Sequence, residues 1–320
     1  MARVLITGGA GFIGAALTGA LAARGDEVAV FDQRESPALV ALRARHPGIV
    51  FHPGELTEWP HLMRAVAAHR PELIVHCAAI VGVVNGRAAP LATMRVNVEG
   101  SLAVLEAMRL FDVPRLVNLS SEEVYGAFEA DIIDETHPCR PVQTYGISKY
   151  AVERLAGDFA AETGAEVQHV RTCWVYGPDL PRPRIPKTFL DAAIEGRPLH
   201  VPAGAEYVVD QVHIDDLVEG MVRLIDHRDH RHDVYHLTTG AAVSLGEMVG
   251  MIREIVPGAD ISIGPGPLEV LPGLPAVRKG ALDCSRARAA FGYAPALDLR
   301  RGLAACVAAR QGMTRPATDT

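Results

Sequence analysis

Short apolar runs alternate with longer stretches of helical periodicity along roughly the first 180 residues of the chain. The apolar runs are continuous, which indicates strands that are buried on both faces. Such strands, separated by helices, are typical of βαβ units in a parallel sheet. We therefore predict an α/β fold built on a doubly wound parallel sheet. The strand patterns lie at 4–6, 28–31, 73–77 and 116–120, and the helical patterns at 12–24 and 98–110.

The pattern changes near residue 178, where proline and glycine clusters break the chain into short segments. These residues disfavour long helices and long strands, so a smaller and irregular α/β lobe is predicted for the C-terminal half. The remaining helical patterns lie at 189–195, 214–226 and 245–255.

Two domains follow from this change of pattern, in agreement with a length of 320 residues and about 150 residues per domain. The first spans 1–177, and the second, which we expect to bind substrate, spans 178–312. Strand patterns at 167–172 and 233–237 are expected to rejoin the main sheet. Residues 313–320 are polar and are expected to form a frayed tail.

Composition excludes several classes of function. The net charge is −7 and the isoelectric point is about 6.0, so no basic surface for nucleic acid or an anionic membrane is expected. Five cysteines without a CxxC pair suit a reducing compartment and do not indicate zinc. No apolar segment has the ~18 residues of a membrane span or the features of a secretory signal. We expect a cytoplasmic protein without a metal ion.

A glycine-rich turn follows directly on the first strand pattern. Gly8, Gly11 and Gly14 would allow a tight turn, a close approach of the backbone to a pyrophosphate, and close packing of a helix on a strand. The N-terminus of that helix would attract the anion. Asp32 ends the second strand, 18 residues after Gly14, where a carboxylate binds an adenosine ribose and repels a 2′-phosphate. The spacing predicts a dinucleotide site for NAD, although Arg34 lies close enough to weaken the preference against NADP.

Tyr145 and Lys149 are four residues apart and therefore lie on one face of a predicted helix. A phenol with a pKa of about 10 is a weak base at neutral pH, and a neighbouring ammonium group lowers that value. Ser121 follows a strand of the sheet, where ligands of such folds bind. These three residues together predict proton abstraction from a substrate alcohol by Tyr145, with Ser121 as the orienting group.

The sequence resembles the extended short-chain dehydrogenase/reductases, in the branch of nucleotide-sugar epimerases and dehydratases. The resemblance runs through almost the whole chain and implies a Rossmann domain, NAD, and the catalytic residues Ser121, Tyr145 and Lys149. The matching segments are TGGAGFIG at 7–14, Asp32, HCAA at 76–79, VNVEG at 96–100, SSEEVYG at 120–126, YGISK at 145–149, VYGP at 175–178 and HIDD at 213–216.

The resemblance also implies the remaining cofactor contacts, although Glu55 stands where the family usually has Asp. It further implies a homodimer formed through two helices. The cofactor contacts would be Gly8, Gly11, Phe12, Ile13, Asp32, Glu55, Leu56, Ala78, Ala79, Asn97, Tyr145 and Lys149. The apolar positions of the two helices are Leu102, Leu105 and Met108, and Val152, Leu155 and Phe159.

Two departures from the family pattern concern the substrate. Trp174 replaces an Asn that usually precedes VYGP, and Val209 replaces an Arg that usually grips a diphosphate. We expect both residues to shape the substrate pocket. The lost arginine contact is a strong, charge-assisted one, so we expect a diphosphate to bind Arg278, with help from Arg182 or Arg184. The alternative is a substrate without a nucleotide.

Glu122 and Glu123 follow Ser121 at positions where related 4,6-dehydratases carry an acid pair. Paired carboxylates can act as acid and base. The leading hypothesis is NAD-dependent oxidation of a secondary alcohol on a sugar or nucleotide sugar within an epimerase cycle. The alternatives are a dehydrogenase of a sugar acid or polyol, a 4,6-dehydratase that uses Glu122 and Glu123, and a non-catalytic sensor of NAD(H).

Overall fold

The computed structural model describes residues 1–312, so the tail expected at 313–320 lies outside the described residues. The chain divides into two compact units. The first unit comprises Met1–Gly126, His137–Thr172 and Met221–His236, and the second comprises Ala127–Thr136, Cys173–Gly220 and the described residues from Leu237 to residue 312.

The strands are numbered in chain order. They are β1 (Arg3–Thr7), β2 (Glu27–Asp32), β3 (Val50–Pro53), β4 (Leu73–His76), β5 (Arg115–Leu119), β6 (Ile132–Ile133), β7 (Glu166–Arg171), β8 (Trp174–Tyr176), β9 (Leu199–Val201), β10 (Val208–His213), β11 (Val234–His236), β12 (Ala242–Ser244), β13 (Ile261–Ile263), β14 (Glu269–Leu271), β15 (Leu274–Pro275) and β16 (Ala281–Leu282).

The α-helices are numbered in the same way, with one π-helical turn at Arg95–Glu99 and one 3₁₀ turn at Glu122–Val124. They are α1 (Phe12–Ala23), α2 (Pro37–Arg45), α3 (Trp59–His69), α4 (Val83–Ala88), α5 (Pro90–Met94), α6 (Gly100–Leu110), α7 (Thr144–Thr163), α8 (Lys187–Ile194), α9 (Ile214–Asp226), α10 (Leu245–Ile255), α11 (Ser285–Phe291) and α12 (Leu299–Arg310).

Seven parallel strands form the sheet of the first unit, in the order β11-β7-β5-β4-β1-β2-β3. The chain runs from β1 outward to β3 and then returns to β4 on the other side of β1. The strand order therefore reverses between β1 and β4, and open α/β sheets bind ligands at the carboxyl ends of such strands. The predicted doubly wound parallel sheet is confirmed.

Apolar side chains cover both faces of this sheet, as the continuous apolar strands predict. Leu5 and Ile74 belong to one core cluster, together with side chains of α3, α6 and α7. Val30 belongs to a second cluster with Leu39 and Leu42 of α2. Neighbouring residues of a strand point to opposite faces, and β2 accordingly contributes Ala29 and Phe31 to the first cluster and Val30 to the second.

Local sequence sets several helix ends. Ser36 accepts a hydrogen bond from the Leu39 amide and begins α2, while Ser244 and Glu247 form a capping box at the start of α10. Such caps stabilise a helix by about 1 kcal/mol each. Helix α7 ends at Gly164, whose φ of +75° places it in the left-handed region that glycine adopts readily.

The second unit contains smaller sheets, of which the largest has the order β12-β10-β8. Its apolar core includes Tyr176, Val209 and Leu303. Short parallel pairs join β9 to β13 and β6 to β16. Residues 127–136 belong to this unit because β6 pairs with β16.

The apolar positions predicted for a dimer interface mostly pack inside the first unit. Leu105, Met108 and Phe159 belong to its core, whereas Leu102 is exposed. No helix within residues 1–312 has the length and hydropathy needed to cross a membrane.

Candidate active site

The glycine turn after β1 is held by backbone contacts that leave no room for side chains. Gly8 has a φ of +70°, and its amide donates to the Phe31 carbonyl at 2.9 Å. A Cβ at Gly8 would lie 2.6 Å from the amide nitrogen of Ala78, the second residue after β4. A Cβ at Gly14 would overlap the Gly8 carbonyl oxygen. The turn therefore requires glycine at both positions, and it lies where the strand order reverses.

Asp32 ends β2 and holds the same turn. Its carboxylate accepts hydrogen bonds from the Ala10 amide at 3.0 Å and the Gln33 amide at 2.8 Å. Burial raises the pKa of Asp32, although these amide donors oppose the shift. The carboxylate is thus part of the turn at the position where a ribose is expected.

These residues fit a bound dinucleotide. Helix α1 begins at Phe12, and within the described chain no side chain caps its first turn. Its amides are therefore available to a pyrophosphate. Glycines in the turn allow the close approach that a pyrophosphate needs.

The structure places the other predicted cofactor residues in different surroundings. Phe12, Ile13, Ala78 and Ala79 are half-buried around the turn, and Glu55 is exposed. Leu56 is buried in the core and packs against Gly100.

Asn97 is buried in the π-helical turn and binds the loop that follows β4. Its Oδ1 accepts from the Ile80 amide at 2.7 Å, and its Nδ2 donates to the Ile80 carbonyl at 3.1 Å. Nδ2 also donates to Ser148 Oγ at 2.9 Å, and that hydroxyl donates to the Tyr145 carbonyl at 2.7 Å. Asn97 therefore connects the loop to α7 through Ser148, a link between distant segments that no local sequence pattern indicates.

Tyr145 and Lys149 lie one turn apart in α7 and both are buried. Lys149 Nζ donates to the Leu119 carbonyl at 2.7 Å, at the end of β5. Burial lowers the pKa of Lys149 to about 8, and the negative charge of Glu153 opposes this shift. The ammonium group is therefore held at the strand end from which the Ser121 segment leaves.

Ser121 begins the 3₁₀ turn after β5. Its Oγ accepts a hydrogen bond from the Glu123 amide at 3.2 Å. The Glu122 amide donates to the Thr172 carbonyl at 2.9 Å. This hydrogen bond holds the 3₁₀ turn against the residue that follows β7. Glu122 is buried and Glu123 is half-buried. A Cβ at Gly146 would overlap the Glu123 carbonyl oxygen, so glycine allows α7 to pack against the turn.

His76 is a buried packing group in the same unit. Its Nδ1 lies 2.6 Å from Thr7 Oγ1 and its Nε2 lies 2.8 Å from Ser101 Oγ. Burial, together with the charge of Lys149, lowers the pKa of His76 to about 3. The imidazole is therefore neutral at physiological pH. Across residues 1–312, no group of three or more His, Cys, Asp or Glu side chains could hold a metal ion.

The predicted substrate residues all lie in the second unit. The Trp174 ring lies 5.9 Å from the Tyr207 ring, and the Arg184 guanidinium lies 5.1 Å from the Trp174 ring centre. Arg182 is half-buried. Val209 is fully buried in the apolar core of the unit, so its side chain is out of reach of a ligand in this structure.

Arg278 is half-exposed and already paired. Its Nη2 donates to Asp131 Oδ1 at 2.6 Å and its Nη1 donates to the Phe128 carbonyl at 3.0 Å. A phosphate that bound this guanidinium would compete with Asp131.

Comparison with known proteins gives one consistent result. A family model described as the NAD dependent epimerase/dehydratase family matches residues 4–237. A dTDP-glucose 4,6-dehydratase from Streptomyces griseus is 31% identical, and the match covers 96% of this chain and 93% of that protein.

Two solved structures resemble nearly the whole chain at 28% identity. UDP-glucose 4-epimerase from Thermotoga maritima, determined with UDP-glucose, has a TM-score of 0.87 and covers 97% of this chain and 98% of its own. UDP-glucose 4-epimerase from Thermus thermophilus, in complex with NAD, has a TM-score of 0.85 and covers 98% of this chain and 100% of its own. The chain belongs to the NAD-dependent epimerase/dehydratase family of the extended short-chain dehydrogenase/reductases, and its cofactor is NAD.

Proposed function

We propose that the protein is a nucleotide-sugar epimerase that oxidises a secondary alcohol of the sugar and then restores it with inverted configuration. The observation that carries this proposal is the pair Tyr145 and Lys149, buried one turn apart in α7, with Lys149 bound to the strand end that leads to Ser121. Relatives named as UDP-glucose 4-epimerases support the substrate class.

Each residue of this set has a chemical role. Tyr145 accepts the proton of the substrate hydroxyl, and the Lys149 ammonium group stabilises the tyrosinate that this requires. Ser121 orients the hydroxyl by hydrogen bonding. Bound NAD supplies the hydride acceptor. Gly8, Gly14 and Asp32 would hold the cofactor, and Tyr145 returns the proton when the alcohol forms again.

For the substrate, we propose a nucleotide sugar whose diphosphate binds Arg278, with help from Arg182 or Arg184. Arg278 and Arg184 each present a guanidinium group in the second unit, and planar guanidinium groups suit phosphate oxygens. Trp174, stacked under Arg184, would shape the same part of the pocket. A sugar acid or polyol without a nucleotide is the alternative substrate, because its carboxylate could bind the same arginines.

A 4,6-dehydratase is the second candidate, and the pair Glu122 and Glu123 favours it. Both acids follow Ser121 directly, and the turn that carries them is fixed against Thr172 and Gly146. One such acid could protonate a leaving hydroxyl while the other removes a proton. The Streptomyces griseus relative bears the name of this activity.

Product analysis of the NAD-loaded protein with UDP-glucose and with dTDP-glucose tests these assignments. UDP-galactose or dTDP-galactose without net NADH formation is the expected result. A 4-keto-6-deoxy sugar would favour the dehydratase instead, and stoichiometric NADH would favour the dehydrogenase.

The Tyr145→Phe variant tests the catalytic assignment itself. Turnover should fall by about 10²-fold or more, because this variant keeps the ring and removes the proton acceptor. Tyr150→Phe removes the same atom from the same helix and should leave turnover unchanged. Undiminished turnover of Tyr145→Phe would contradict the catalytic role of Tyr145, whereas NAD binding without any turnover by the unaltered protein would favour a sensor of NAD(H).

We also propose that two chains form a homodimer through the outer side of α6 and α7. Leu102 of α6 and Ile147 of α7 are exposed apolar residues, as are Leu91 and Met94 of α5, which packs on α7. Exposed apolar patches often mark interfaces. Light scattering at micromolar concentration should give twice the chain mass of 34.2 kDa, and Leu102→Glu should reduce it. A single-chain mass for the unaltered protein would contradict the dimer.

A further inference from the structure

A buried polar network adjoins the catalytic residues in the first unit. We call it the Glu153 network, and it consists of Ser120, Tyr125, Glu153, Arg171 and His236. Arg171 donates to both Glu153 oxygens, from Nε at 3.0 Å and from Nη2 at 2.6 Å. All five side chains are buried, so their hydrogen bonds act in a medium of low dielectric constant.

The network joins four elements of the sheet region. Ser120 Oγ donates to Glu153 Oε1 at 2.5 Å, which ties the end of β5 to α7. Arg171 Nη1 donates to Tyr125 Oη at 2.7 Å, and Tyr125 Oη lies 2.5 Å from His236 Nε2 at the end of β11. The carboxyl ends of β5, β7 and β11 are therefore linked through one carboxylate and one guanidinium.

Glu153 and its hydrogen-bond partner Ser120 are each close in sequence to a catalytic residue. It follows Lys149 by four residues in α7, one helical turn. Its partner Ser120 directly precedes Ser121. Neither Glu153 nor Ser120 has a role in proton transfer as described above, so their burial and pairing need another explanation.

We propose that Glu153 is a positioning residue of the active site, whose carboxylate holds Lys149 as the ammonium ion and, through Ser120, fixes the backbone that carries Ser121. This inference rests on the proposed roles of Lys149, Tyr145 and Ser121.

The charges around Lys149 and Glu153 support the positioning role of Glu153. Burial disfavours the ammonium form of Lys149, and the negative charge of Glu153 opposes that effect. Burial also disfavours the carboxylate form of Glu153, but the hydrogen bonds and charge of Arg171 outweigh it and keep the pKa of Glu153 low. The titratable groups that face this set are Cys77 and His76 toward Lys149, His169 toward Glu153, and Tyr125 and Cys139 toward Arg171.

The charges of Lys149 and Glu153 determine the direction in which a change at Glu153 shifts the pKa of Lys149. With Glu153 ionised, the pKa of Lys149 is about 8, so the ammonium form predominates at neutral pH. Removal of the negative charge in Glu153→Gln would lower the pKa of Lys149. A larger fraction of Lys149 would then be neutral at neutral pH, and the tyrosinate of Tyr145 would be less stabilised.

Direct titration of Lys149 tests the inference without a substrate. The chain contains three lysines, Lys149, Lys187 and Lys279, so protein labelled with ¹³C in lysine gives three side-chain signals that Lys187→Arg and Lys279→Arg assign. In Glu153→Gln, the titration midpoint of the Lys149 signal should move to lower pH by about one unit, the effect of a nearby opposite charge. An unchanged midpoint would overturn the inference.

Glu162→Gln is the matched control. It makes the same change in the same helix, at an exposed residue that pairs with Arg109, and should leave the Lys149 midpoint unchanged. Glu153→Asp retains the charge, and the Lys149 midpoint in this variant should lie close to that of the unaltered protein.

If Glu153→Gln does not fold because Arg171 loses its counter-charge, Glu153→Gln combined with Arg171→Gln allows the same titration. The midpoint should again move to lower pH, but by less than in Glu153→Gln, because the double variant also removes the positive charge that Arg171 holds against Glu153.

A kinetic profile separates this inference from the proposed function. With UDP-glucose or dTDP-glucose, whichever is turned over, the basic limb of kcat/KM against pH should move to lower pH in Glu153→Gln by the amount of the Lys149 shift. A purely structural role would lower kcat/KM at every pH without moving the limb, and that result would overturn the inference. Failure of the proposed catalytic assignment would instead appear as undiminished turnover in Tyr145→Phe.

Discussion

Gly14 in the first turn of α1 faces the carbonyl oxygen of Gly8, and the two are so close that a Cβ at Gly14 would overlap that oxygen. Gly8 itself has a φ of +70° and lies against the Ala78 backbone. The turn is therefore fixed from both sides, by the start of α1 and by the chain that leaves β4. A change at Gly14 must displace the backbone that is expected to bind the pyrophosphate.

Gly14→Ala should accordingly weaken NAD binding by at least about tenfold, since a tenfold change costs about 1.4 kcal/mol and the new methyl group must move main-chain atoms. Calorimetric titration with NAD measures the effect. Gly157→Ala in α7 is the matched control, because no atom lies within 4 Å of a Cβ at that position. Alanine in a helix interior should raise stability there by roughly 0.5–1 kcal/mol. Equal NAD affinities in the two variants would contradict the assigned role of the turn.

Asp32→Asn should reduce the preference for NAD over NADP. The amide retains an oxygen for the Ala10 amide, which Asp32 now holds at 3.0 Å, but it removes the negative charge that repels a 2′-phosphate. The ratio of the two dissociation constants should change by about tenfold or more. Glu27→Ala changes an exposed acid at the start of the same strand and should leave the ratio as it is. If Asp32→Asn leaves the ratio of the NAD and NADP dissociation constants unchanged, residues other than Asp32 set the preference for NAD.

Local sequence patterns were sufficient to locate much of this site. The glycine turn and Asp32 are parts of one β1–α1–β2 segment, and Tyr145 and Lys149 are one turn apart in one helix. Such relationships depend on short spacings, which follow from the geometry of strands and helices. The doubly wound sheet is predictable for the same reason, because continuous apolar strands require cover on both faces.

Relationships between distant segments were not predictable in this way. Glu153 and Arg171 are 18 residues apart in different elements, and nothing in the local pattern of either residue identifies its partner. The sequence predicts that Val209 shapes the substrate pocket, yet Val209 lies in an apolar core, because the covered face of a strand depends on which elements pack against it. Residues 127–136 join the second unit through the pairing of β6 with β16, a contact across about 150 residues that no spacing indicates.

Acid should destabilise the protein through His76. The pKa of this buried imidazole is about 3 in the folded chain and about 6.5 in an unfolded one. Between these values the unfolded state binds the additional proton, so stability is lost as pH falls from about 6.5 toward 3, by up to about 1.4 kcal/mol per pH unit.

His76→Gln removes this titration, so the free energy of unfolding should depend less steeply on pH in that window. Denaturant unfolding at a series of pH values measures the slope. His200→Gln alters an exposed histidine and should retain the original dependence. The same slope in His76→Gln and in the unaltered protein would show that other buried groups, such as His169, govern acid sensitivity.

The ion pair between Arg278 and Asp131 offers a test of the proposed phosphate contact. Asp131 is 96% exposed and binds one nitrogen of the guanidinium, while the Phe128 carbonyl binds another. If Arg278 holds the diphosphate, Asp131 competes with it. Asp131→Asn should therefore tighten UDP or dTDP binding by about two- to fivefold, the size of an exposed ion pair. Arg278→Ala should weaken binding by about tenfold or more, the loss of a charge-assisted hydrogen bond.

Calorimetric titration of the NAD-loaded protein with UDP and dTDP at two salt concentrations measures both effects. The difference in affinity between the variants and the unaltered protein should shrink at higher salt, because the charges are exposed. Full affinity in Arg278→Ala would assign the diphosphate to Arg184 or Arg182, and the absence of UDP and dTDP binding in the unaltered protein would favour a substrate without a nucleotide.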